Sequence, residues 1–290
     1  MKSFFFIPAC LLFAIAGSAQ KVSSQLKFEQ GQVLATSLQL KTSIAQQAMG
    51  QAIDFTVDAS GNHSYKVTNS TDDNSTLHHA VQRIAFSFDG MGQKRNFDSN
   101  NEKDLGGPLG KPVKEILEKK YDMVIDPAGN TMLALPPQIE LSAADPRMAI
   151  ISNMMKDVFN IVHPPPKGRK SFFKVLTDSA TGPDEPWTES YSNESGKFDA
   201  AYKITHINDS TIVIDFASSS TTITKAEMMG NETTTTMNNK STGKIILDRV
   251  TGIIMEKTET TESSGNTETS FGTLPVTSKT TTTITVKKAE

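Results

Sequence analysis

The sequence predicts a mainly β protein in which a long antiparallel meander forms a curved sheet or half-barrel, with one main amphipathic helix against its apolar face. Three patterns lead to this prediction. Apolar and polar residues alternate with a period of two from residue 26 to about 97, as at Ile53 and Phe55. The alternation returns after Trp187. Between these two stretches, residues 145–162 have the three- and four-residue apolar spacing of a helix.

The N-terminal third is expected to fold into hairpins. Clusters of turn-forming residues at 49–50, 59–62, 72–74 and 89–92 divide the alternating stretch into strands. Because these strands are apolar on one face only, the sheet must curve or be covered to bury that face. In the middle of the chain we expect a loop at 106–112, a short helix at 113–119, a strand at 121–125 and a turn at 126–130.

The clearest helix of the sequence is predicted at 145–162. Asp145 can cap its first turn, and His163 followed by three prolines ends it. Its apolar face provides the candidate ligand-binding residues, which are Met148, Ile151, Met155 and Phe159. Methionine adapts to irregular apolar surfaces, so this face could line a hydrophobic groove. The alternative is that it packs as ordinary core.

The C-terminal third is rich in hydroxyl side chains. Residues 258–285 contain 16 Ser or Thr among 28 residues. This composition favours long, polar-faced strands joined by a mobile Ser/Gly/Asn loop near 263–273. A disordered tail is the alternative, because few apolar residues are available to offset the ordering entropy.

The domain organisation allows two interpretations. Residues 121–129 and 243–252 each run from a strand into a turn that begins with Asp and is closed by Gly. An internal repeat of this kind would divide the chain into two β-rich halves, 20–135 and 167–290, around a helical middle, 136–166. Turns of this type are common between any two strands, so a single β-rich domain over residues 20–290 is the main expectation.

The N-terminus has the features of a secretory signal peptide. Lys2 precedes an apolar run, and Gly17-Ser18-Ala19 supplies the small residues of a cleavage site. We therefore expect residues 1–19 to be removed and the protein to be exported, to the periplasm or outside the cell of a bacterium. A retained anchor is the alternative, but the apolar run is shorter than a membrane-spanning helix needs. No integral membrane span is expected after cleavage.

Several chemistries have no support in the sequence. The only cysteine, Cys10, lies within the predicted signal peptide, so the mature chain would have no disulfide. The net charge is −3, with no basic block, so no nucleic-acid partner is expected. The adjacent His78 and His79 should point to opposite faces of a strand, so neither a metal nor another cofactor is expected. The serine-nucleophile motif Gly-x-Ser-x-Gly is absent, and no enzymatic activity is predicted.

A set of short motifs resembles a known family. These are the signal end Ser18-Ala19-Gln20, the opening at 26–32, the Pro-Leu-Gly-Lys-Pro stretch at 108–112, the strand and turn at 121–130, and Pro186-Trp187-Thr188. Together they resemble the secreted bacterial family catalogued as domain of unknown function 6263. This resemblance implies an exported β-rich protein and supplies no catalytic residues. The expected architecture is also similar to that of periplasmic lipoprotein carriers, which hold acyl chains between a curved sheet and helices.

Two functions follow as hypotheses. The first is a non-enzymatic envelope protein that binds an apolar or lipid-like ligand between the sheet and the 145–162 helix. The second is a structural or adhesive surface module that uses the Thr-rich strands for partner contact. A continuous apolar cavity would favour the first hypothesis, and a filled core would favour the second.

Overall fold

The structure is a computed structural model, and it describes residues 21–48, 51–90, 92–107, 110–134, 167–193, 196–228, 231–270 and 272–289. These ranges contain twelve strands and two short helices: β1 Val33–Ala48, β2 Gln51–Ser70, β3 Ser75–Gly90, β4 Gln93–Asp98, α1 Glu102–Leu105, α2 Gly110–Glu118, β5 Lys120–Ile125, β6 Thr131–Ala134, β7 Trp187–Asn193, β8 Gly196–Ile207, β9 Thr211–Met228, β10 Asn231–Asp248, β11 Ile254–Thr269 and β12 Gly272–Lys288.

All twelve strands belong to one antiparallel sheet. Its order is β6-β5-β3-β2-β1-β12-β11-β10-β9-β8-β7. Strand β3 has two partners on one side: residues 75–80 pair with β5, and residues 85–90 pair with β4. Most neighbours in the sheet are also neighbours along the chain, as in a meander. The exceptions are the pairing of β3 with β5, between which β4 lies along the chain, and the pairing of β1 with β12, which joins the N-terminal and C-terminal strands. The sheet is not closed, because β6 and β7 are its two edge strands. The predicted mainly β, antiparallel architecture is confirmed.

The connection predicted at 72–74 is confirmed between β2 and β3. The turn predicted at 89–92 is shorter than expected, because Asp89 and Gly90 still pair within the hairpin of β3 and β4, and residues 49–50 lie outside the described residues. The turn predicted at 59–62 is wrong. Residues 59–62 lie inside β2 and pair with β1 on one side and β3 on the other. Their Ser, Gly and Asn favour a turn locally. Pairing on both sides outweighs that preference, because strand preference depends strongly on tertiary context.

Three further expectations need correction. The prediction of a mobile loop near 263–273 is wrong, because residues 263–269 belong to β11 and residues 272–273 belong to β12. The disordered tail is also wrong, since both strands pair along their length. Residues 110–112, expected in a loop, form the start of α2. The helix predicted at 145–162 lies outside the described residues.

One face of the sheet, here called the inner face, contains the core. Cross-strand pairing places Leu38, Tyr65, Ile214 and Ile284 on this face, and all four are fully buried. The opposite, outer face has mostly polar residues. The sheet has two ends, which we call the base, where β2 turns into β3 and β10 into β11, and the top, where β1 meets β2 and β11 meets β12. Apolar burial on the inner face is the main stabilising contribution to such a sheet.

An irregular segment fills the inner face at the base. We call residues 167–186 the plug. Phe173 is fully buried in the plug and belongs to one core cluster with inner-face residues of both β2 and β9. Phe173 meets Tyr65 of β2, and Phe172 lines one small cavity with Tyr202 of β8 and Ile245 of β10. Strands far apart in the sheet therefore lie around the same segment, which requires the sheet to curve. The backbone of Thr131 in β6 exchanges hydrogen bonds with Gly168 and Arg169. The plug therefore also extends the sheet beyond its β6 edge.

The N-terminal residues 21–32, here called the strap, cross the base. Val22 and Thr181 of the plug exchange both backbone hydrogen bonds, at 2.9 and 2.8 Å. The amide of Leu26 donates to Pro127, and that of Lys27 donates to Thr251. These two acceptors lie in the two Asp-started, Gly-closed turns whose similarity is visible in the sequence. Both turns therefore hold the same strap.

Candidate functional site

The inner face near the top is the candidate site, and its β1–β3 part is apolar. Ile44 pairs with Phe55, and Val57 pairs with Phe88, so all four side chains share this face. The Phe55 and Phe88 ring centroids are 5.7 Å apart. Gly90 lies opposite Phe55, and a Cβ there would lie 2.3 Å from the Cβ of Phe55. We call the set Ile44, Phe55, Val57 and Phe88 the apolar strip.

The apolar strip continues toward the base into a second core cluster. There, Phe86 stacks on Phe97 of β4, with centroids 5.3 Å apart and planes within 9°. Helix α2 adds Val113 and Ile116, which are both buried in the same cluster. The amphipathic spacing of α2 produces this contact, since positions three apart lie on one helix face. Phe55 and Val57 lie beyond this cluster but are also buried.

The β9–β12 part of the same face is lined mainly by hydroxyl and amide groups, together with the apolar Met237, Leu274 and Val276. Cross-strand hydrogen bonds link neighbouring side chains at 2.8 to 3.1 Å, in the pairs Thr42 with Thr280, Ser241 with Thr261, Thr235 with Thr267, and Asn239 with Ser220. These side chains are uncharged. We call them the hydroxyl wall. It meets the apolar strip at β1, where Thr42 pairs in the sheet with both Thr280 and Val57. The inner face near the top is therefore apolar on β1–β3 and mainly neutral and polar on β9–β12.

Aromatic side chains lie at the β7 end of the inner face. Trp187 stacks on Tyr202 with centroids 5.2 Å apart, and Tyr191 stacks on Phe198 at 4.9 Å. Tyr191 is half exposed. Burial and the nearby carboxylates of Glu189 and Glu259 raise the pKa of Tyr202, so its hydroxyl stays protonated. Sequence reasoning missed this aromatic group, because its members are spread over two strands and only pairing brings them together.

Among the described residues, the more enclosed cavity is small, whereas two open depressions, of about 750 and 540 Å³, lie along β1–β3. A partly enclosed cavity of about 140 Å³ lies between the plug and the C-terminal strands, with Phe172, Tyr202 and Lys257 in its lining. Drug-sized ligands usually occupy roughly 300 to 1,000 Å³, so this cavity is small. An open depression of about 750 Å³ near the top is lined mostly by outer-face residues such as Asp54 and Lys279.

Charged residues around the small cavity are paired. Lys257 contacts Glu259 at 2.8 Å and lies over the Phe216 ring at 5.1 Å from its centroid. Lys170 of the plug pairs with Glu189 of β7. Lys174 is buried and donates to Asn130 at 3.0 Å and to Asp178. The Lys170–Glu189 pair attaches the plug to β7, and the Lys174–Asn130 hydrogen bond attaches it to the turn between β5 and β6. The partners of Lys174 compensate a charge that burial would otherwise penalise.

The histidines follow the predicted geometry with one addition. His78 lies on the outer face and contacts Asp122 at 2.7 Å, whereas His79 points to the inner face. The addition is that His79 meets His63, with His63 Nδ1 and His79 Nε2 3.0 Å apart. The sequence alone does not show this contact, because the two histidines are 16 residues apart and only the pairing of β2 with β3 brings them together. The described residues contain no group of three His, Cys, Asp or Glu side chains that could hold a metal ion.

The predicted ligand-binding residues Met148, Ile151, Met155 and Phe159 lie outside the described residues. Their proximity to the apolar strip therefore stays a prediction. In the part of the chain that the structure describes, no helix is long and apolar enough to span a membrane.

No protein-family model matches the chain, and no curated protein matches it. Solved structures to which the chain is similar include lipovitellin, in a study of lipid–protein interactions, at 10% identity and a TM-score of 0.47. The match covers 91% of this chain and 26% of lipovitellin, so this chain spans about a quarter of that protein's length. An outer membrane channel from Pseudomonas putida F1 has 6% identity, a TM-score of 0.25, and coverage of 91% and 98%. Pseudomonas aeruginosa OccK7 has 5% identity, a TM-score of 0.21, and coverage of 89% and 99%. TM-scores below 0.5 at such low identity carry no functional inference.

Proposed function

We propose that this protein is an exported, non-enzymatic binding protein of the bacterial envelope that holds an apolar or lipid-like ligand on the top half of its inner face. The ligand would lie between the apolar strip and the helix predicted at 145–162, where Met148, Ile151, Met155 and Phe159 would contact it. The proposal retains the resemblance to the secreted family of unknown function, whose members are expected to be exported and β-rich.

The observation that carries this proposal is the apolar strip. Phe88 packs against the second core cluster, and Ile44, Phe55 and Val57 continue the apolar surface from there toward the top. The outer face of the same strands is polar, as at Ser43 and Thr56. The apolar character is therefore confined to the inner face, where a ligand would be shielded from water.

The hydroxyl wall is consistent with a ligand that has both an apolar and a polar part. An acyl chain would lie on the apolar strip, while a polar group would face Thr280 and Ser241. Neutral hydroxyl and amide groups can both donate and accept hydrogen bonds, so they suit an uncharged polar group. The side chains of the apolar strip and the hydroxyl wall are uncharged, which suits the binding of a neutral ligand.

The first test identifies the ligand in the native protein. Protein purified from the cell envelope should carry extractable acyl lipid detectable by mass spectrometry, and its intact mass should correspond to a chain that begins at Gln20. A chain that retains residues 1–19 would contradict the expected export, and protein free of lipid would count against the ligand.

A second test uses matched valine variants and cis-parinaric acid as a fluorescent probe. Val57→Thr places a hydroxyl in the apolar strip and should weaken probe binding by about tenfold, since an uncompensated polar group costs roughly 1 to 3 kcal/mol. Val213→Thr makes the same change on the outer face and should leave binding unchanged. Met155→Phe should also weaken binding with little loss of stability, because it would occupy ligand space. Wild-type protein that binds no probe would overturn the proposal.

A second candidate function is that of a structural or adhesive module. It is favoured by a patch of hydroxyl groups on the outer face of the sheet. Thr258 pairs with Thr283, and Thr260 pairs with Thr281, forming a hydroxyl patch on the outer face of β11 and β12. A partner could bind to this patch or to the edge of β7, because an edge strand leaves backbone groups open to pairing. Retention of partner binding after Val57→Thr and its loss after Thr260→Lys would support this function over ligand binding.

A further inference from the structure

The inner face of β7, β8 and β9 has two aromatic walls with a gap between them. The first wall is a row of three rings, Trp187, Tyr202 and Phe216, whose successive centroids are 5.2 and 5.9 Å apart. The second wall is the stack of Tyr191 on Phe198, which lies four residues further toward the top on β7 and β8. We call the surface between the two walls the aromatic trough.

The floor of the aromatic trough consists mainly of small side chains. Cross-strand pairing places one row of residues between the walls, and these are Glu189, Ala200, Ser218 and Ser241. Four residues of an extended strand span about 13 Å, so the walls leave room for a ring-shaped ligand above this floor. Ala200 is buried, whereas Tyr191 is 54% exposed, so solvent reaches the trough at its top wall.

The polar groups of the aromatic trough include both donors and acceptors of hydrogen bonds. The hydroxyl of Tyr202 stays protonated, because burial and nearby carboxylates, among them Glu189, raise its pKa. Lys170 of the plug contacts Oε1 of Glu189, and a carboxylate has further lone pairs on its second oxygen. One row further toward the top, the amide of Asn239 donates to Ser220 at 3.1 Å. The trough therefore suits a ligand that offers several hydroxyl groups.

The charges next to the aromatic trough are paired with one another. Within the described part of the chain, Lys257 is the one lysine or arginine that strand pairing places on the inner face of β7–β11. It contacts Glu259 at 2.8 Å, and Glu189 pairs with Lys170. A phosphate or carboxylate in the trough would therefore meet cations that are already neutralised and carboxylates that repel it. An uncharged ligand fits this balance.

We propose that the aromatic trough binds a neutral saccharide ring, and that the ligand of the proposed function is therefore a glycolipid. A sugar ring has C–H groups on its faces and hydroxyl groups around its rim. The C–H groups are attracted to the negative face of an aromatic ring such as that of Tyr191. The hydroxyl groups can accept a hydrogen bond from Tyr202 and donate one to Glu189.

The position of the aromatic trough relative to the apolar strip links the sugar to an acyl chain. The inference rests on the proposed function for this chain. The row of Tyr191 continues across the sheet by strand pairing to Ile44 and Phe55 of the apolar strip. Strand β1 lies three strands beyond β10, about 14 Å along the sheet. A glycolipid could therefore have its sugar in the trough and its chain on the apolar strip.

Alkyl ligands with different uncharged heads test the saccharide. Octyl β-glucoside, octyl β-galactoside and octyl triethylene glycol ether have the same chain, and each is titrated calorimetrically below its critical micelle concentration. Wild-type protein should bind at least one glycoside about tenfold more tightly than the ether, because ring stacking and hydrogen bonds favour the sugar alone. Tyr191→Leu removes the ring and should reduce this preference about three- to tenfold, whereas Tyr191→Phe should retain most of it. Ile223→Ala, at an exposed outer-face position of β9, is the control and should leave the preference unchanged.

The outcomes separate this inference from the proposed function. Equal affinity of wild-type protein for the three alkyl ligands, or an unchanged preference in Tyr191→Leu, would overturn the saccharide site, while binding of cis-parinaric acid would still support the proposed function. Methyl glycosides that bound as tightly as the octyl glycosides would assign the trough to a free saccharide and overturn the glycolipid. If no alkyl ligand binds, the proposed function fails, and saturation-transfer NMR with the methyl glycosides decides the site. Transfer to the sugar protons that Tyr191→Leu abolishes would support it, and absence of transfer to wild-type protein would contradict it. If Tyr191→Leu does not fold, the comparison of ligands on wild-type protein still decides.

Discussion

The base and the top of the sheet use the same strands in different ways. At the base, inner-face residues of β1, β2, β9 and β10 converge on the plug and are almost completely buried. At the top, the same strands present the apolar strip on one side and the hydroxyl wall on the other. We therefore expect the larger stabilising contribution at the base, because Ile44 and Phe88 of the apolar strip and most of the hydroxyl wall are only partly buried. Large substitution effects should therefore occur at the base and small ones at the top.

The largest expected effect is the loss of the central plug side chain. Phe173→Ala removes a fully buried ring that contacts Phe28, Tyr65 and Phe172. We expect the free energy of unfolding to fall by about 3 to 5 kcal/mol, measured by urea denaturation. Phe198→Ala, near the top and only partly buried, should cost about 1 kcal/mol. Equal effects at the two positions would remove the distinction between base and top.

A pair of glycines tests how tightly the strap is held. Gly129 and Gly31 both have positive φ, 88° and 84°. A Cβ at Gly129 would lie 2.8 Å from the Cβ of Lys174 and 2.9 Å from Cδ1 of Leu26, whereas nothing lies within 4 Å at Gly31. Gly31→Ala should cost about 1 kcal/mol of unfolding free energy for the left-handed backbone alone. Gly129→Ala should cost roughly 2 to 4 kcal/mol, because the clash is added. Similar losses would show that the turn can move away from the strap.

The pH dependence of stability should originate at the base. Because burial lowers the pKa of His63 to about 4 in the folded protein, the unfolded chain binds more protons below pH 6.5. The free energy of unfolding should therefore be fully present above pH 6.5 and fall as the pH drops toward 4. Between pH 6.5 and 5 the loss should be about 2 kcal/mol. Urea denaturation at both pH values measures it, and His63→Phe should remove most of the difference. A wild-type protein equally stable at both values would contradict this assignment.

The sequence was sufficient to predict the strands whose polarity alternates, but the plug has no such signal. Residues 53–57 alternate clearly, and they lie in β2 with one face buried. Phe172 and Phe173 are adjacent and belong to a segment without regular periodicity. Their burial depends on three-dimensional contact with strands distant in the sequence. The His63–His79 pair was missed for the same reason.

Glycine was the most misleading residue in the sequence. Gly265 suggested a mobile loop, yet it lies within β11, where a Cβ would approach the carbonyl oxygen of Thr236 to 1.9 Å. The residue therefore permits close approach of β10 and β11 rather than a turn. A single sequence cannot separate these two uses of glycine. The hydroxyl-rich composition of 258–285, in contrast, was interpreted correctly as polar-faced strands, although their continuous length was not.

The smallest expected effect is at the hydroxyl wall. Thr280→Val keeps the shape of the side chain but removes the hydroxyl that meets Thr42 at 3.0 Å, and Thr42 is buried. The remaining Thr42 hydroxyl loses its partner, so unfolding free energy should fall by about 1 kcal/mol. Thr281→Val, on the exposed outer face of the same strand, should change it by less than about 0.5 kcal/mol. If Thr280→Val were instead neutral in stability but weakened cis-parinaric acid binding, the hydroxyl wall would act on the ligand and not on the fold. A stability loss comparable to that of Phe173→Ala would mean that the top contributes to stability as much as the base, and the separation of the two regions would fail.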